Sequence, residues 1–190
     1  MRVPNSGEEI ARSVAHHTKI FWESALPDAA MRKYYAKEEN LGSSFWTMVI
    51  ELAIIRAAQD FGCGAKTEPE TNPLGGKRCD VAWLSRPPMP NQRHQGIRPE
   101  EVVLLAESEM QDKENEVAQK LMKYDSVHGS AHGEVWKLLV SYRPYSDFGP
   151  SLRLTEPRSR WVFLTVSPQE RFEYCDGLHS PIKSIPWSDA

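Results

Sequence analysis

The sequence predicts a mixed α/β domain in which one sheet is packed by helices. Three observations carry this. Phe45–Phe61 has helical composition and is apolar round most of its circumference, which marks a largely buried helix. Val102–Ala106 (VVLLA) is a continuous apolar run, the pattern of a central strand covered on both faces. Two more apolar runs, Val135–Tyr142 and Arg160–Val166, follow a stretch of helical periodicity. Helices, a buried helix, two strands, a helix and two strands is the order of a sheet flanked by helices.

The first helix is expected over Ser6–Trp22, because Ser6 and Glu9 have the spacing in which a hydroxyl caps one amide and the Glu returns the bond. A second should follow Pro27, since proline is tolerated at the first helical position and AAMRKYYAKEE is rich in helix formers. Ser43 or Ser44 then caps the apolar helix, and Gly62 supplies its left-handed end. Arg56, Gln59 and Asp60 share one polar stripe of that helix, while Glu51 falls on the apolar remainder. Arg78–Leu84 is the first strand expected and Val102–Ala106 the second, joined by a loop rich in Pro, Gly and Asn. Lys113–Val127 reads as helix, with Val117, Leu121 and Tyr124 on one face and Gly129 at its end. From Cys175 onward no periodicity is evident.

Composition bounds the function. The chain has 190 residues, 23 Lys+Arg against 26 Asp+Glu, and a formal charge of −3. It therefore lacks the general positive coat of a non-specific nucleic-acid binder, and any such contact must come from a local basic patch. The cysteines, Cys63, Cys79 and Cys175, are odd in number with no close pair, so a reducing compartment is expected. No apolar stretch is long enough to span a bilayer, and the first residues lack the apolar core of a secretory signal. No membrane association and a cytoplasmic location are expected.

The chemistry concentrates in carboxylates. Asp80 is expected within an apolar strand, and Glu107-Ser108-Glu109 where the central VVLLA strand ends. Alternation points Glu107 and Glu109 to one face and Ser108 to the other. Two carboxylates on one face repel unless something positive lies near. A divalent cation meets that need, and Mg²⁺ takes one or two carboxylates plus water and phosphate oxygens. If the strands pair, Asp80 and Glu107 share the ion, and phosphodiester hydrolysis is the reaction implied.

An Asp in one strand, then an acidic-x-acidic or acidic-x-Lys element at the end of the next, followed by a helix, resembles the PD-(D/E)XK nuclease superfamily. Here the pieces are Cys79-Asp80 and Glu107-Ser108-Glu109, separated by 107 − 80 = 27 positions and preceded by the helix bearing Glu51. The resemblance covers roughly Ser43–Val166. It implies a restriction-endonuclease-like mixed central sheet flanked by helices, and nothing for the extra N-terminal helices or the tail; the chain is expected to divide into an N-terminal helical region 1–42, a nuclease-like core 43–170 and a tail 171–190. It implies Asp80 and Glu107 as ligands of Mg²⁺, with Mn²⁺ as a substitute, Glu109 as a third carboxylate, and DNA as substrate. Two departures stand out. Cys79 occupies the position of the motif proline, and Glu109 that of the motif lysine. Some restriction enzymes of the superfamily carry Glu there, and in other members the lysine function has moved to the following helix.

Lys120 is the candidate for that move. It lies at i+3 from Val117 and i−4 from Tyr124, on the core-facing stripe, where lysine is costly. The competing reading is a side chain that snorkels and pairs with Glu116. Glu51 matches the acidic residue that many members place on the first core helix; a buried Glu also arises by bonding a backbone or Trp donor. Asp80 likewise has a structural alternative, an ion pair with Arg78 or Lys137. Lys77, Arg78, Arg86, Arg93 and Arg98 against Asp80 make a local 5 − 1 = +4 beside the site, suited to phosphate positioning, although a charge run is usually a solvated face. His128 and His132 are four apart but sit among glycines, so a zinc site is disfavoured.

The reading is thus a Mg²⁺-dependent endonuclease that hydrolyses DNA by attack of a metal-activated water, with a homodimer expected for cutting two strands. The alternative is a non-catalytic DNA-binding or protein-interaction module of the same fold.

Overall fold

A computed structural model of the chain describes residues 1–35, 43–67, 79–86, 97–109, 129–130, 133–142, 160–166, 171–177 and 180–190. Helix α1 spans Gly7–Ala25, α2 Ala29–Tyr35 and α3 Ser43–Asp60. The strands are β1 (Gly64–Thr67), β2 (Val81–Leu84), β3 (Val102–Glu109), β4 (Gly129–Ser130), β5 (Gly133–Glu134), β6 (Trp136–Ser141), β7 (Trp161–Val166), β8 (Arg171–Asp176) and β9 (Lys183–Pro186). Short 3-10 turns cover Pro99–Glu101 and Trp187–Asp189.

Among the described residues, one sheet of seven strands runs in the order β1-β2-β3-β6-β7-β8-β9, and β4 with β5 forms a separate small hairpin. The central strands β3, β6 and β7 are mutually parallel, whereas β1, β2, β8 and β9 join antiparallel at the two sides. The parallel strands β6 and β7 at the centre are buried at every position, as strands covered on both faces are.

One face lies under helices, with α1 over β7 and β8 and α3 over β1, β2 and β3. Ile10, Val14 and Trp22 of α1 and Trp46, Ile50 and Ile54 of α3 meet Val81, Trp83, Leu104, Leu138 and Leu164 there. Each such large side chain contributes about 1.5–3 kcal/mol by leaving water. The Trp22 and Trp46 rings meet edge to face at 4.6 Å between α1 and α3. The second face carries its own apolar cluster, including Ala82, Leu84, Leu105, Leu139, Trp161 and Phe163.

Local signals behave as physics requires, with shifts of a residue or two. Ser6 caps α1, its hydroxyl accepting from the Glu9 amide at 3.3 Å, but the Glu9 carboxylate reaches one residue further back, to the Asn5 amide at 3.1 Å. Asp28, after Pro27, caps α2, with Oδ1 accepting from Ala30 N and Met31 N. At the end of α3, Gly62 takes φ +65°, and the Gly62 and Cys63 amides donate to the carbonyls of Gln59 and Ala58. This is a Schellman closure that favours glycine.

Other expectations need correction. Helix α3 is buried on one side only, for Met48 is 50% exposed and Leu52 41%. The strand expected from Arg78 starts at Val81, so Asp80 precedes it, and Glu107-Ser108-Glu109 lies inside β3 because pairing with β6 carries the strand to Glu109. Strand β1 was not expected, and Arg171–Asp176 and Lys183–Pro186 form two strands of the sheet where no regular structure was read. The helix expected over Lys113–Val127, and with it Lys120, lies outside the described residues, as do Lys77, Arg78, Arg93, His128 and His132. No helix among the described residues is long and apolar enough to cross a membrane.

Candidate active site

The pairing of β2 with β3 creates the site. The register Val81↔Ala106 closes the described ladder, so the next position in each direction sets Asp80 beside Glu107. Strand β2 has ended there, and the Ser108 amide would otherwise lack a partner from it. The Asp80 carboxylate supplies one. Its Oδ2 accepts from the Ser108 amide at 2.7 Å and from the Ser108 hydroxyl at 2.9 Å. Both are charge-assisted bonds, stronger than neutral ones, and they fix the carboxylate in line with the sheet. Neither uses Oδ1.

Glu107 follows Leu105 and so projects from the second face, away from α1 and α3. It is only 6% exposed. A carboxylate this deep needs positive charge or donors nearby, because desolvation penalises its ionised form. The backbone places Glu109 opposite Ser141 of β6, and Ser141 opposite Thr165 of β7. Ser141 and Thr165 are both buried, so polar side chains cluster at the carboxyl ends of the three parallel strands. Ligands of open α/β sheets gather at that edge.

The structure brings Asp80 and Glu107 together and leaves other candidates apart. Glu51 is half-buried on α3, at the margin of its buried stripe and on the opposite side of the sheet from Glu107. Arg86 and Arg98 lie beyond Leu84 and before Val102, at the opposite edge from Asp80. Arg86 pairs there with Glu101, Nε to Oε2 at 3.2 Å, and its carbonyl accepts from the Gly64 amide. That pairing is a structural role. Arg98 is exposed and precedes the 3-10 turn of Pro99–Glu101.

Ser108 is the residue that sequence reasoning missed. Alternation turns it away from Glu107, and only the early end of β2 makes its amide and hydroxyl partners of Asp80. Among the described residues, no three His, Cys, Asp or Glu side chains converge closely enough to cage an ion. Two hard-oxygen carboxylates, Asp80 just before β2 and Glu107 on β3, could serve as donors. This fits Mg²⁺, which completes its shell with water and substrate oxygens, better than a metal that demands an all-protein cage.

No family model matches the chain, and no curated protein does. Solved structures do. The cAAA-bound form of NucC from P. aeruginosa ATCC27853 aligns over 90% of this chain and 83% of its own, with 11% identity and a TM-score of 0.51. The cAAA-bound form of NucC from E. coli MS115-1 aligns over 88% and 82%, with 14% identity and a TM-score of 0.46. At such identity the likeness concerns the fold, which is the α/β restriction-endonuclease-like one: a mixed central sheet flanked by helices.

Proposed function

We propose that the chain is a divalent-metal-dependent endonuclease acting on DNA. What supports the reading is that Asp80, just before β2, and Glu107 of β3 fall at facing positions when the register Val81↔Ala106 is continued by one, in a restriction-endonuclease-like fold. Asp80, through Oδ1, and Glu107 would hold Mg²⁺, or Mn²⁺ in its place, with Glu109 as a third carboxylate. When bound, the cation offsets phosphate charge and acidifies water.

The chain's own groups do the rest. Ser108 holds Asp80 so that it presents one oxygen in a fixed direction. Preorganisation of this kind spares reorganisation during reaction. The buried wall around Glu107 keeps bulk water from screening its charge. Lys120 is the proposed cation facing the developing phosphorane charge, and Glu51 an accessory acid. Lys77, Arg78, Arg93 and Arg98 are proposed to grip phosphates away from the scissile bond, and Arg86 would join them only by releasing Glu101. Two copies about a two-fold axis would match the two strands of a duplex. Three buried cysteines, an odd number, suit a reducing compartment such as the cytoplasm.

One observation favours a second reading, a non-catalytic DNA-binding or protein-interaction module: Asp80 already has a structural task in tying β2 to Ser108. Cutting decides between them. With Mg²⁺ or Mn²⁺ the purified protein should nick or linearise supercoiled plasmid, and Asp80→Ala and Glu107→Ala should each lower the rate by at least about 100-fold. Supercoiled, linear duplex and single-stranded DNA all left intact would refute the nuclease reading.

A further inference from the structure

On the second face of the sheet a polar row lies just beyond an apolar one. Leu139, Phe163 and Cys175 share one register level of β6, β7 and β8 and belong to the apolar cluster of that face. Two residues further toward the carboxyl ends of β6 and β7, the level Ser141↔Thr165↔Glu173↔Ser184 is polar throughout. Its position in β3 is Glu109. The row therefore begins at the carboxylate-bearing end of β3 and crosses the sheet to β9. Arg171 lies one level further out on β8, where its Nη2 meets Glu173 Oε1 at 2.9 Å and offsets that charge.

Thr165 is the member of the row that the fold does not account for. Alternation with Phe163 puts it on the second face, and it is only 7% exposed. Among the described residues its hydroxyl has no hydrogen-bond partner. A nearly buried hydroxyl without a partner costs free energy, and valine would fill the same shape in this strand without that cost. A ligand oxygen arriving at the row would supply the missing bond.

We propose that Thr165 is a substrate-binding residue whose hydroxyl donates to a phosphate oxygen of the DNA strand held at Asp80 and Glu107. The proposal rests on the DNA-directed reading above and adds to it the path of the strand, along the polar row. Thr165 is two strands across and two residues along from Glu107, about 12 Å. A B-form strand advances about 3.4 Å per nucleotide, so the contact falls about three or four nucleotides from the bond at the carboxylates. Hydroxyl and guanidinium donors typically hold phosphates, and the exposed Arg171 stands one level outward. A lone hydroxyl offers none of the bidentate pairing that distinguishes bases.

Binding of a labelled DNA duplex to the full chain, followed by fluorescence anisotropy with Ca²⁺ as the cation, tests the contact apart from cleavage. Thr165→Val should weaken binding by about five- to twentyfold, and by the same factor on duplexes of unrelated sequence. Thr165→Ser should restore it. In denaturant, Thr165→Val should unfold at or above the wild-type midpoint, since no internal bond is lost. In plasmid cutting it should raise KM with kcat nearly unchanged. Equal affinity in wild type and Thr165→Val overturns the proposal and leaves the nuclease reading standing. Weaker binding without cutting by either protein overturns the nuclease reading and supports the contact. A loss that depends on DNA sequence, or one that Thr165→Ser leaves in place, overturns the phosphate assignment. Should Thr165→Val and Thr165→Ala both fail to fold, the hydroxyl is structural and the proposal falls.

Discussion

Asp80 ties the start of β2 to Ser108 and, on the proposed reading, also holds the metal ion, and the two duties are separable by substitution. Asn keeps an oxygen that can accept from the Ser108 amide and hydroxyl but removes the charge. Asp80→Asn should therefore unfold in denaturant near the wild-type midpoint while losing at least about tenfold in Mn²⁺ affinity. Asp80→Ala abandons both donors and should lose about 1–3 kcal/mol of stability as well. Denaturant unfolding paired with metal titration reads both effects, and equal metal affinity in wild type and Asp80→Asn would leave Asp80 as a strand tie alone. The sequence singled out Asp80 and Glu107 because a carboxylate amid apolar strand residues is conspicuous. It did not locate the Asp80–Ser108 tie, which depends on where β2 stops, and a propensity pattern leaves that boundary uncertain by a few residues. Lys137 carried the same signal as Asp80, a charge inside an apolar run, and the register of β3 with β6 sets it beside Leu105.

At the scale of elements, the start of α1 shows how local charge sets pH behaviour. The Glu9 carboxyl is held below the usual carboxylate range by the Asn5 amide and by Arg2, whose Nη1 lies 3.0 Å from Oε1. Glu8 is lowered by Arg12, at 2.8 Å. A carboxyl whose folded pKa is depressed contributes stability that is present above the unfolded value and lost as the pH falls through the folded one. Unfolding by heat should therefore come earlier as pH drops below the ordinary carboxylate range, and Glu9→Gln should flatten part of that slope. A Glu9→Gln slope equal to wild type would show that these contacts do not persist in solution. Both groups are largely solvent-facing, so the effect is small and shrinks with salt. Elements with long, uniform signals were legible: the cap of α1, the glycine closure of α3, and the apolar runs of β3, β6 and β7. Those that depend on partners were not. The alternation Arg171, Phe172, Glu173, Tyr174 is a strand signal only a few residues long, and Lys183–Pro186 becomes a strand by pairing with β8 while Ile185 enters the core. Met48 and Leu52 look like core residues in composition, but α3 has a single neighbouring layer among the described elements, and they face away from it.

For the whole molecule, the two ends of the chain meet on one core. The α1 amino end rests on β7 and β8, where the Gly7 amide donates to Asp176 Oδ2 at 3.1 Å. A Cβ at Gly7 would collide with the Asp176 carboxylate and come within 2.7 Å of Val162 Cγ2. Gly7→Ala should cost about 1–3 kcal/mol in an unfolding titration, and a neutral effect would mean that this docking is looser than the contact implies. Further along, Trp187 stacks on Phe172 at 5.1 Å and its indole N–H donates to Glu23, so α1 also holds the last strand pair. The sheet order has a consequence for synthesis. Strand β3 sits between β2, which precedes it, and β6, whose last residue follows after another 141 − 109 = 32 positions. At roughly 5–20 residues per second, a ribosome leaves the VVLLA edge without its second neighbour for about 2–6 s. During that interval the nascent chain displays an unpaired apolar strand, the segment on which a holding chaperone would have most to gain.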